Sequence, residues 1–429
     1  MSIVLRGAFA IADERRYSLI PFTVPSGVRS IHVAYTYSHR IASDPRLRDG
    51  NTLDIGLFDP NGFRGWSGSH KDAFTVAETW ATPAYVAGPI VDGTWSILIG
   101  PYKVSPRGCE YEVRITFSAD PGLPPFTEPD RVYASPPRGL ALAAEAGWLR
   151  GDLHCHTRYS DGDSWPADML SSAVARGLDF LGVTDHNQTG HHAAYAQVQG
   201  SHLPLVLPGV EVTTYGGHWN AWATDKFLDF REPTSAAVSQ VMQAAAANRA
   251  LVSVNHPKPF GPPWEYPDAA GFHCIEVWNG GWPEQNEVSL AWWDTLLRAG
   301  RRIAAVGGSD THRLKDLAGD RLGRPTTWAH VGSDRSASAV LSALHTGRAF
   351  VSRDVDGPQL YLSRDRVRVV DAPGAHLHLV TDQGLARSVP VPSADWTTSV
   401  ALEAEYLRAE VRDNSGEMLA LSNPVWRVM

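Results

Sequence analysis

Pairs of possible metal ligands stand out in the middle of this 429-residue chain. His154 and His156 lie two residues apart, and Asp310 and His312 repeat the same spacing. Side chains two residues apart on an extended chain face the same side, so both members of a pair can bind one ion. Two such pairs predict a metal centre.

Four further candidate ligands lie between these pairs. Asp161 belongs to a Ser-Asp-Gly turn, whereas His186, Glu211 and His256 each follow a short apolar run. Such runs are typical of buried strands, and strand ends meet at one mouth of an α/β barrel. A lone histidine at a strand end is usually structural, but ligands on successive strand ends predict the active site of a metal-dependent hydrolase.

The strands and helices that would position these residues are predicted from apolar runs and helical patterns that alternate along the chain. Apolar runs predict strands at 178–183, 205–212, 251–254, 274–278 and 303–306, and helical patterns predict helices at 166–176, 235–248, 283–298 and 336–345. Strands that alternate with helices indicate a parallel, barrel-like α/β domain.

Both ends of the chain alternate apolar and polar residues with the period of a β-strand. We expect an antiparallel β-sandwich over 1–119 and a small C-terminal β appendage over 353–429. Prolines are dense over 120–145, which predicts a semi-rigid linker. The barrel domain is therefore expected over 146–352.

Composition excludes several classes of protein. Hydrophobic residues make up 43% and charged residues 20%, and no apolar run approaches the length that crosses a bilayer. The net charge of -8 gives no basic face for nucleic acid, and the first residues lack the apolar stretch of a secretory signal. Cys109, Cys155 and Cys274 lack zinc-knuckle spacing. We expect a cytoplasmic protein with neither membrane nor nucleic acid as a standing partner. The oligomeric state is left open.

The motifs, taken in order, resemble those of the PHP (polymerase and histidinol phosphatase) superfamily. The resembling segments are 152–157, 160–162, 184–186, 209–211, 255–257 and 309–312. The resemblance covers roughly 148–352 and implies a distorted seven-stranded barrel. Within the superfamily, the flanking sandwich and the segments 147–152 and 421–424 are similar to the branch that contains carbaryl hydrolase, a carbamate esterase.

The resemblance also implies how the ligands are shared among two or three divalent ions. It assigns one ion to His154, His156, Glu211 and Asp310, a second to Glu211, His218 and His256, and a third to Asp161, His186 and His312. Several superfamily members have His where this chain has Asp161. A carboxylate is a harder ligand, so manganese and iron are as plausible as zinc.

The expected chemistry is attack by a hydroxide that bridges the ions, because neighbouring metal ions lower the pKa of a shared water. Glu211, His218 and His312 are the expected catalytic residues. Three carboxylates offset only about half the charge of three divalent ions, so the site favours an anionic small-molecule ester. Arg158, Lys258 and Arg313 are expected to bind it, because each lies close in sequence to a ligand.

Three functions stay open at this point. Hydrolysis of a phosphomonoester or phosphodiester is expected first, and hydrolysis of a carbamate or carboxylic ester second, with Trp219 and Trp282 packing against an aryl leaving group. The third is a metal-containing binding module without catalysis, against which the intact ligand set argues.

Overall fold

A computed structural model describes residues 1–129, 145–198, 200, 203–259, 262–314 and 322–427. Most of the predicted linker, 130–144, lies outside the described residues. Within the described part, no helix is long and apolar enough to cross a membrane.

The N-terminal region consists of two antiparallel sheets of four strands each. Its strands are β1 (Ser2–Phe9), β2 (Ser18–Val24), β3 (Ser30–Tyr37), β4 (Thr52–Asp59), β5 (Gly62–Gly68), β6 (Ala73–Ala77), β7 (Gly93–Lys103) and β8 (Cys109–Ser118). One sheet has the order β1-β8-β3-β6 and the other β2-β7-β4-β5. Apolar side chains of both sheets, such as Val33, Leu53, Ile97 and Ile115, share one core. The two sheets therefore pack face to face, as the alternating pattern predicts.

The middle region alternates strands and helices. Its elements are β9 (Trp148–Asp152), α1 (Pro166–Ala175), β10 (Phe180–Val183), α2 (Gly190–Val198), β11 (Leu205–Thr214), β12 (Gly217–Trp222), α3 (Ser235–Ala247), β13 (Leu251–Val254), β14 (Cys274–Asn279), α4 (Asn286–Arg298), β15 (Ala304–Gly308), β16 (Thr326–His330), α5 (Ala337–His345) and β17 (Ala349–Ser352). Strands β9, β10 and β11 run parallel, as do β13, β14 and β15, which agrees with the predicted α/β character.

An antiparallel hairpin interrupts this alternation, and the sequence pattern did not predict it. Strand β12 pairs with β11 on one side and β13 on the other, antiparallel in both cases. The hairpin turns at Tyr215 and Gly216, and the next residue, Gly217, has φ +138° and lies against Trp264. A Cβ at this position would come within 2.6 Å of the Trp264 ring, so the turn requires glycine.

A closed seven-stranded barrel is not confirmed. The edge of β9 that faces away from β10 pairs antiparallel with β16, so the sheet continues into β16 and β17 instead of returning to β15. Side-chain hydrogen bonds connect β15 to β16 and β17, with which it does not pair as a strand. Asn423 accepts a hydrogen bond from Ala305 N and donates to Ala305 O and Ala349 O. Thr327 Oγ1 accepts a hydrogen bond from Gly307 N and donates to Gly307 O.

The C-terminal strands extend the same sheet. They are β18 (Gln359–Leu362), β19 (Arg366–Val370), β20 (His376–Thr381), β21 (Gly384–Pro390), β22 (Asp395–Ser399), β23 (Tyr406–Arg412), β24 (Met418–Ser422) and β25 (Val425–Trp426). Strand β24 pairs with β17, and β23, β20 and β21 follow, whereas β18, β19 and β22 form a separate sheet. The predicted appendage is thus continuous with the middle region.

The sandwich also packs directly on the middle region. Tyr17 stacks on Tyr215 with ring centroids 4.8 Å apart, and Phe63 stacks on Phe227 at 4.4 Å. The Tyr215 hydroxyl donates to Asp54 Oδ2 at 2.9 Å. The two regions therefore share a built interface in addition to their covalent connection.

Candidate metal centre

Most of the predicted ligands follow directly after a strand, at one mouth of the sheet. His154 and His156 follow β9, His186 follows β10, and His256 follows β13. The pair formed by Asp310 and His312 follows β15. These placements agree with the sequence prediction.

Two ligands lie within the hairpin instead. Glu211 was expected at a strand end, but β11 continues past it to Thr214. His218 lies on β12, where it pairs with Thr213 of β11. The hairpin therefore delivers both residues from adjacent antiparallel strands.

The structure brings all nine predicted ligand residues together. Their nitrogen and oxygen atoms form four overlapping groups, and within each group the atoms lie within 4.8 Å of one another. The groups are His156, Asp161, His186 and His312; His154, Glu211 and His256; His154, His156 and Asp310; and His186, Glu211 and His218.

The geometry of one set fits a single ion. Glu211 Oε2 lies 3.2 Å from His154 Nε2 and 3.4 Å from His156 Nε2, and Asp310 Oδ1 lies 3.4 Å and 3.0 Å from the same two nitrogens. Ligands bound to zinc at about 2.1 Å in a tetrahedron are about 3.4 Å apart. All four atoms are buried and lack a hydrogen-bond partner among the described residues. A cation between them would satisfy all four.

The second oxygen of Glu211 faces another pair of histidines. Glu211 Oε1 lies 3.2 Å from His218 Nδ1 and 3.2 Å from His256 Nε2, and it accepts a hydrogen bond from Asn255 at 2.9 Å. One carboxylate thus reaches two neighbouring groups of ligands, which is the arrangement of a bridging ligand.

A third set surrounds Asp161. Its Oδ1 lies 3.5 Å from His186 Nε2, and its Oδ2 lies 3.3 Å from His312 Nε2. The His312 side chain is 28% exposed and is the most exposed of the nine predicted ligands. Solvent therefore reaches the centre on this side.

Backbone strain is present at two of the ligands. His256 has φ +28° and Asp310 has φ +54°, although neither residue is glycine. Such conformations cost of order 1–3 kcal/mol each and persist only where the surroundings impose them. The fold thus holds these two side chains at the centre against local preference.

Buried carboxylates outside the predicted set hold the ligands in place. Glu276 Oε1 lies 2.9 Å from His154 Nδ1, and Glu276 Oε2 accepts a hydrogen bond from His256 N at 3.1 Å. Asp185 accepts hydrogen bonds from Thr157 N and from Ser160 Oγ. Sequence reasoning missed Glu276, although a glutamate inside a fully apolar strand was a usable signal.

Electrostatics keeps the carboxylates ionised. Burial by itself raises the pKa of Glu211, but His154, His186 and His218 outweigh burial, and the pKa lies well below its usual value. The pKa of Asp310 is likewise held well below its usual value by histidines, against the effect of burial. Both groups are therefore available as anionic ligands at neutral pH.

The pKa values of the histidines shift in opposite directions. Burial lowers the pKa of His312, but Asp161 and Asp310 raise it to about 10. Burial, together with His312 and His186, lowers the pKa of His156 to about 4. Without a cation, the centre balances its carboxylates with protons, so metal binding should release protons.

The three predicted substrate-binding residues differ in their surroundings. Arg158 and Arg313 are exposed, and the Arg158 guanidinium stacks over the Trp165 ring with its carbon 5.2 Å from the centroid. Lys258 is only 2% exposed, and its Nζ donates to Asn279 O at 2.9 Å and Asn286 Oδ1 at 3.1 Å. The Lys258 side chain is therefore buried and bonded to the segment between β14 and α4, and its contact with a substrate stays a prediction.

The expected aryl contacts also need correction. Trp219 is 1% exposed and Trp282 is 5% exposed, and both belong to the hydrophobic core of the middle region. An indole in this core cannot contact a ligand at the mouth without rearrangement.

The N-terminal sandwich contributes two residues that sequence reasoning also missed. His70 Nε2 lies 3.5 Å from Asp161 Oδ2, and Lys71 Nζ donates to Ser160 O at 2.8 Å. No motif flags either residue, because only the tertiary packing brings them to the centre.

Comparison with known proteins identifies the domain that carries the ligands. Residues 152–252, about a quarter of the chain, match the family model of the PHP domain. A 3',5'-nucleoside bisphosphate phosphatase of Chromobacterium violaceum is 33% identical over 99 residues, which are 23% of this chain and 35% of that protein. The chain therefore matches about a third of the length of this curated relative. The chain contains a PHP domain.

Solved structures show weaker likeness. A two-domain protein from Bacteroides vulgatus, which contains a predicted PHP-like metal-dependent phosphoesterase, aligns with 71% of this chain and 100% of its own length. The identity is 17% and the TM-score 0.43. The similarity to the carbaryl hydrolase branch is not shown by these comparisons and stays a prediction.

Proposed function

From the presence of a PHP domain, we propose that this protein is a metal-dependent hydrolase that cleaves phosphate esters of small molecules. The proposal rests on four buried ligand atoms that converge on one point and lack a hydrogen-bond partner among the described residues, and on Glu211, which also reaches a second group of ligands. Burying so many ionisable groups is costly unless a cation compensates them.

The ligand side chains have different roles in the proposed centre. Glu211 connects two groups of ligands, His218 completes the group on β12, and His312 lies at the open side with Asp161. Metal ions bound there supply Lewis acidity and lower the pKa of bound water. Glu276 and Asp185 fix the orientation of the ligand loops, and fixed ligands keep the centre organised throughout a reaction.

A phosphate ester suits the open side of the centre. Arg158 and Arg313 are exposed and adjacent in sequence to His156 and His312, where a guanidinium can pair with phosphate oxygens. The curated relative is named for a nucleoside bisphosphate. We therefore place phosphomonoesters first and phosphodiesters second among the substrates.

A carbamate or carboxylic ester is the second candidate. One observation favours it: Lys258 is bonded within the protein, so the mouth has one fewer cation for a phosphate than the sequence predicted. A purely metal-containing binding module is disfavoured, because all nine ligand residues are present and grouped.

The proposal is tested with chelator-treated protein reconstituted with Mn²⁺, Fe²⁺ or Zn²⁺. We expect hydrolysis of a nucleoside 3',5'-bisphosphate or p-nitrophenyl phosphate that depends on the added metal, and no turnover by Glu211→Gln. Asp225→Asn, at an exposed carboxylate, is the matched control and should retain full activity. Turnover of an aryl carbamate alone would replace the first candidate with the second.

A further inference from the structure

A loop of the N-terminal sandwich reaches the candidate metal centre. The loop connects β5 to β6, and its His70 Nε2 lies 3.5 Å from Asp161 Oδ2. The neighbouring Lys71 donates from Nζ to Ser160 O at 2.8 Å and to Arg158 O at 3.3 Å. Two consecutive sandwich residues thus contact the segment that carries Asp161.

Contacts within the sandwich also fix the conformation of this loop. Arg40 forms an ion pair with Asp72 and donates to Ser69 O at 2.9 Å. The two residues that reach the centre are therefore flanked by positions fixed to β3 and its following turn. The loop is an organised part of the sandwich.

Asp161 lies further from its strand than its two partner ligands do. His186 and His312 follow their strands β10 and β15 within a few residues, whereas Asp161 lies in a turn beyond β9. Thr157 O accepts hydrogen bonds from both Ser160 N and Gly162 N, which shapes the turn. The orientation of the carboxylate is then set by the groups that contact it.

We propose that the sandwich loop is an integral part of the metal centre: His70 positions the Asp161 carboxylate and Lys71 fixes its backbone, so that the ion held by Asp161, His186 and His312 depends on the docked sandwich. The inference rests on the proposed function, since it concerns the same centre. Removing a residue that orients a metal ligand typically lowers the metal affinity by about 10- to 100-fold.

The experiment is a Mn²⁺ titration of chelator-stripped, full-length protein, with free Mn²⁺ measured by electron paramagnetic resonance, and a repeat with Zn²⁺ by calorimetry. In His70→Ala we expect the dissociation constant of one bound ion to rise about 10- to 100-fold. His70→Gln should restore most of the affinity, because its amide can donate to the carboxylate. Lys71→Met should weaken the same ion.

The matched control is His32→Ala, an exposed sandwich histidine that contacts Thr75. Its titration should equal that of the wild type. Unchanged metal binding in both His70→Ala and Lys71→Met would overturn the inference, and an equal loss in His70→Ala and His70→Gln would overturn positioning in favour of direct ligation. Absence of any tightly bound ion in the wild type would instead overturn the proposed function.

Discussion

At the scale of single residues, the predicted ligands and the partners that orient them have different origins in the sequence. Most of the ligands follow apolar strands, so their types and positions predict them, whereas Glu211 and His218 lie within strands and Asp161 lies in a turn. Glu276, Asp185 and His70 act through contacts that the fold creates between distant segments. Their roles could not be read from spacing, because no local pattern encodes which ligand they contact.

Glu276→Gln tests the importance of these orienting contacts. The substitution preserves size but removes the negative charge beside His154 Nδ1, and we expect metal affinity to fall about 10- to 100-fold. Competition with a chromophoric chelator measures the loss. Glu232→Gln, at an exposed position, is the control and should bind metal like the wild type. Equal affinities in both variants would show that Glu276 does not tune the centre.

The three cationic residues that were predicted to bind the substrate give a second prediction. Arg158→Ala or Arg313→Ala should lower kcat/KM for a phosphomonoester about 10- to 100-fold, which corresponds to roughly 1.5–3 kcal/mol for a charge-assisted hydrogen bond. Lys258→Met should instead lower the melting temperature, because Asn279 O and Asn286 lose a buried donor. Steady-state kinetics and thermal unfolding separate the two effects. Loss of activity without loss of stability in Lys258→Met would restore its predicted role.

At the scale of elements, local patterns predicted most of the strands and helices of the middle region. The strand at 251–254 is confirmed to the residue, and four predicted helices are present with ends shifted by one to three residues. The pattern missed β12 because only two turn residues, Tyr215 and Gly216, separate it from β11.

The closure of the middle sheet could not be predicted, since it depends on residues far apart in the chain. Asn423 bridges β15 and β17 through Ala305, 118 residues away, and Ala349, 74 residues away. An asparagine after an apolar strand is common in turns, so its type alone does not indicate a bridge. The pairing of β9 with β16 likewise joins segments that are far apart in the chain, and the local pattern of neither strand specifies its partner.

Asn423→Ala therefore tests this closure. The substitution leaves Ala305 N and two carbonyls without their buried partner, and we expect a loss of roughly 2–5 kcal/mol in the free energy of unfolding. Urea unfolding measures it. Asn248→Ala, at an exposed helix end, should cost less than about 1 kcal/mol. Similar losses in both variants would mean that the bridge contributes nothing specific.

At the scale of the whole molecule, the sandwich and the middle region are joined through a buried carboxylate as well as through aromatic contacts. Burial raises the pKa of Asp54 to about 7, although the Tyr215 hydroxyl donates to it. A carboxyl whose pKa is raised on folding contributes stability at low pH and loses it as pH rises through the folded value. The interface should therefore weaken between about pH 5 and pH 8.

Asp54→Asn separates this effect from other titrations. The amide cannot ionise, so the stability of the variant relative to the wild type should improve by roughly 1–3 kcal/mol between pH 5 and pH 8. Chemical unfolding of metal-free protein at several pH values gives this difference. The same series on Asp225→Asn, an exposed carboxylate, should show a constant difference. If the stability difference between Asp54→Asn and the wild type is also constant with pH, ionisation of Asp54 does not weaken the interface.

We expect the converging histidines and carboxylates to hold more than one metal ion. Elemental analysis of purified, metal-supplemented protein after exhaustive dialysis tests it directly. Nine ligand residues exceed what one four- to six-coordinate ion can use, so at least two equivalents of divalent transition metal per chain are expected. One equivalent or less would contradict the account.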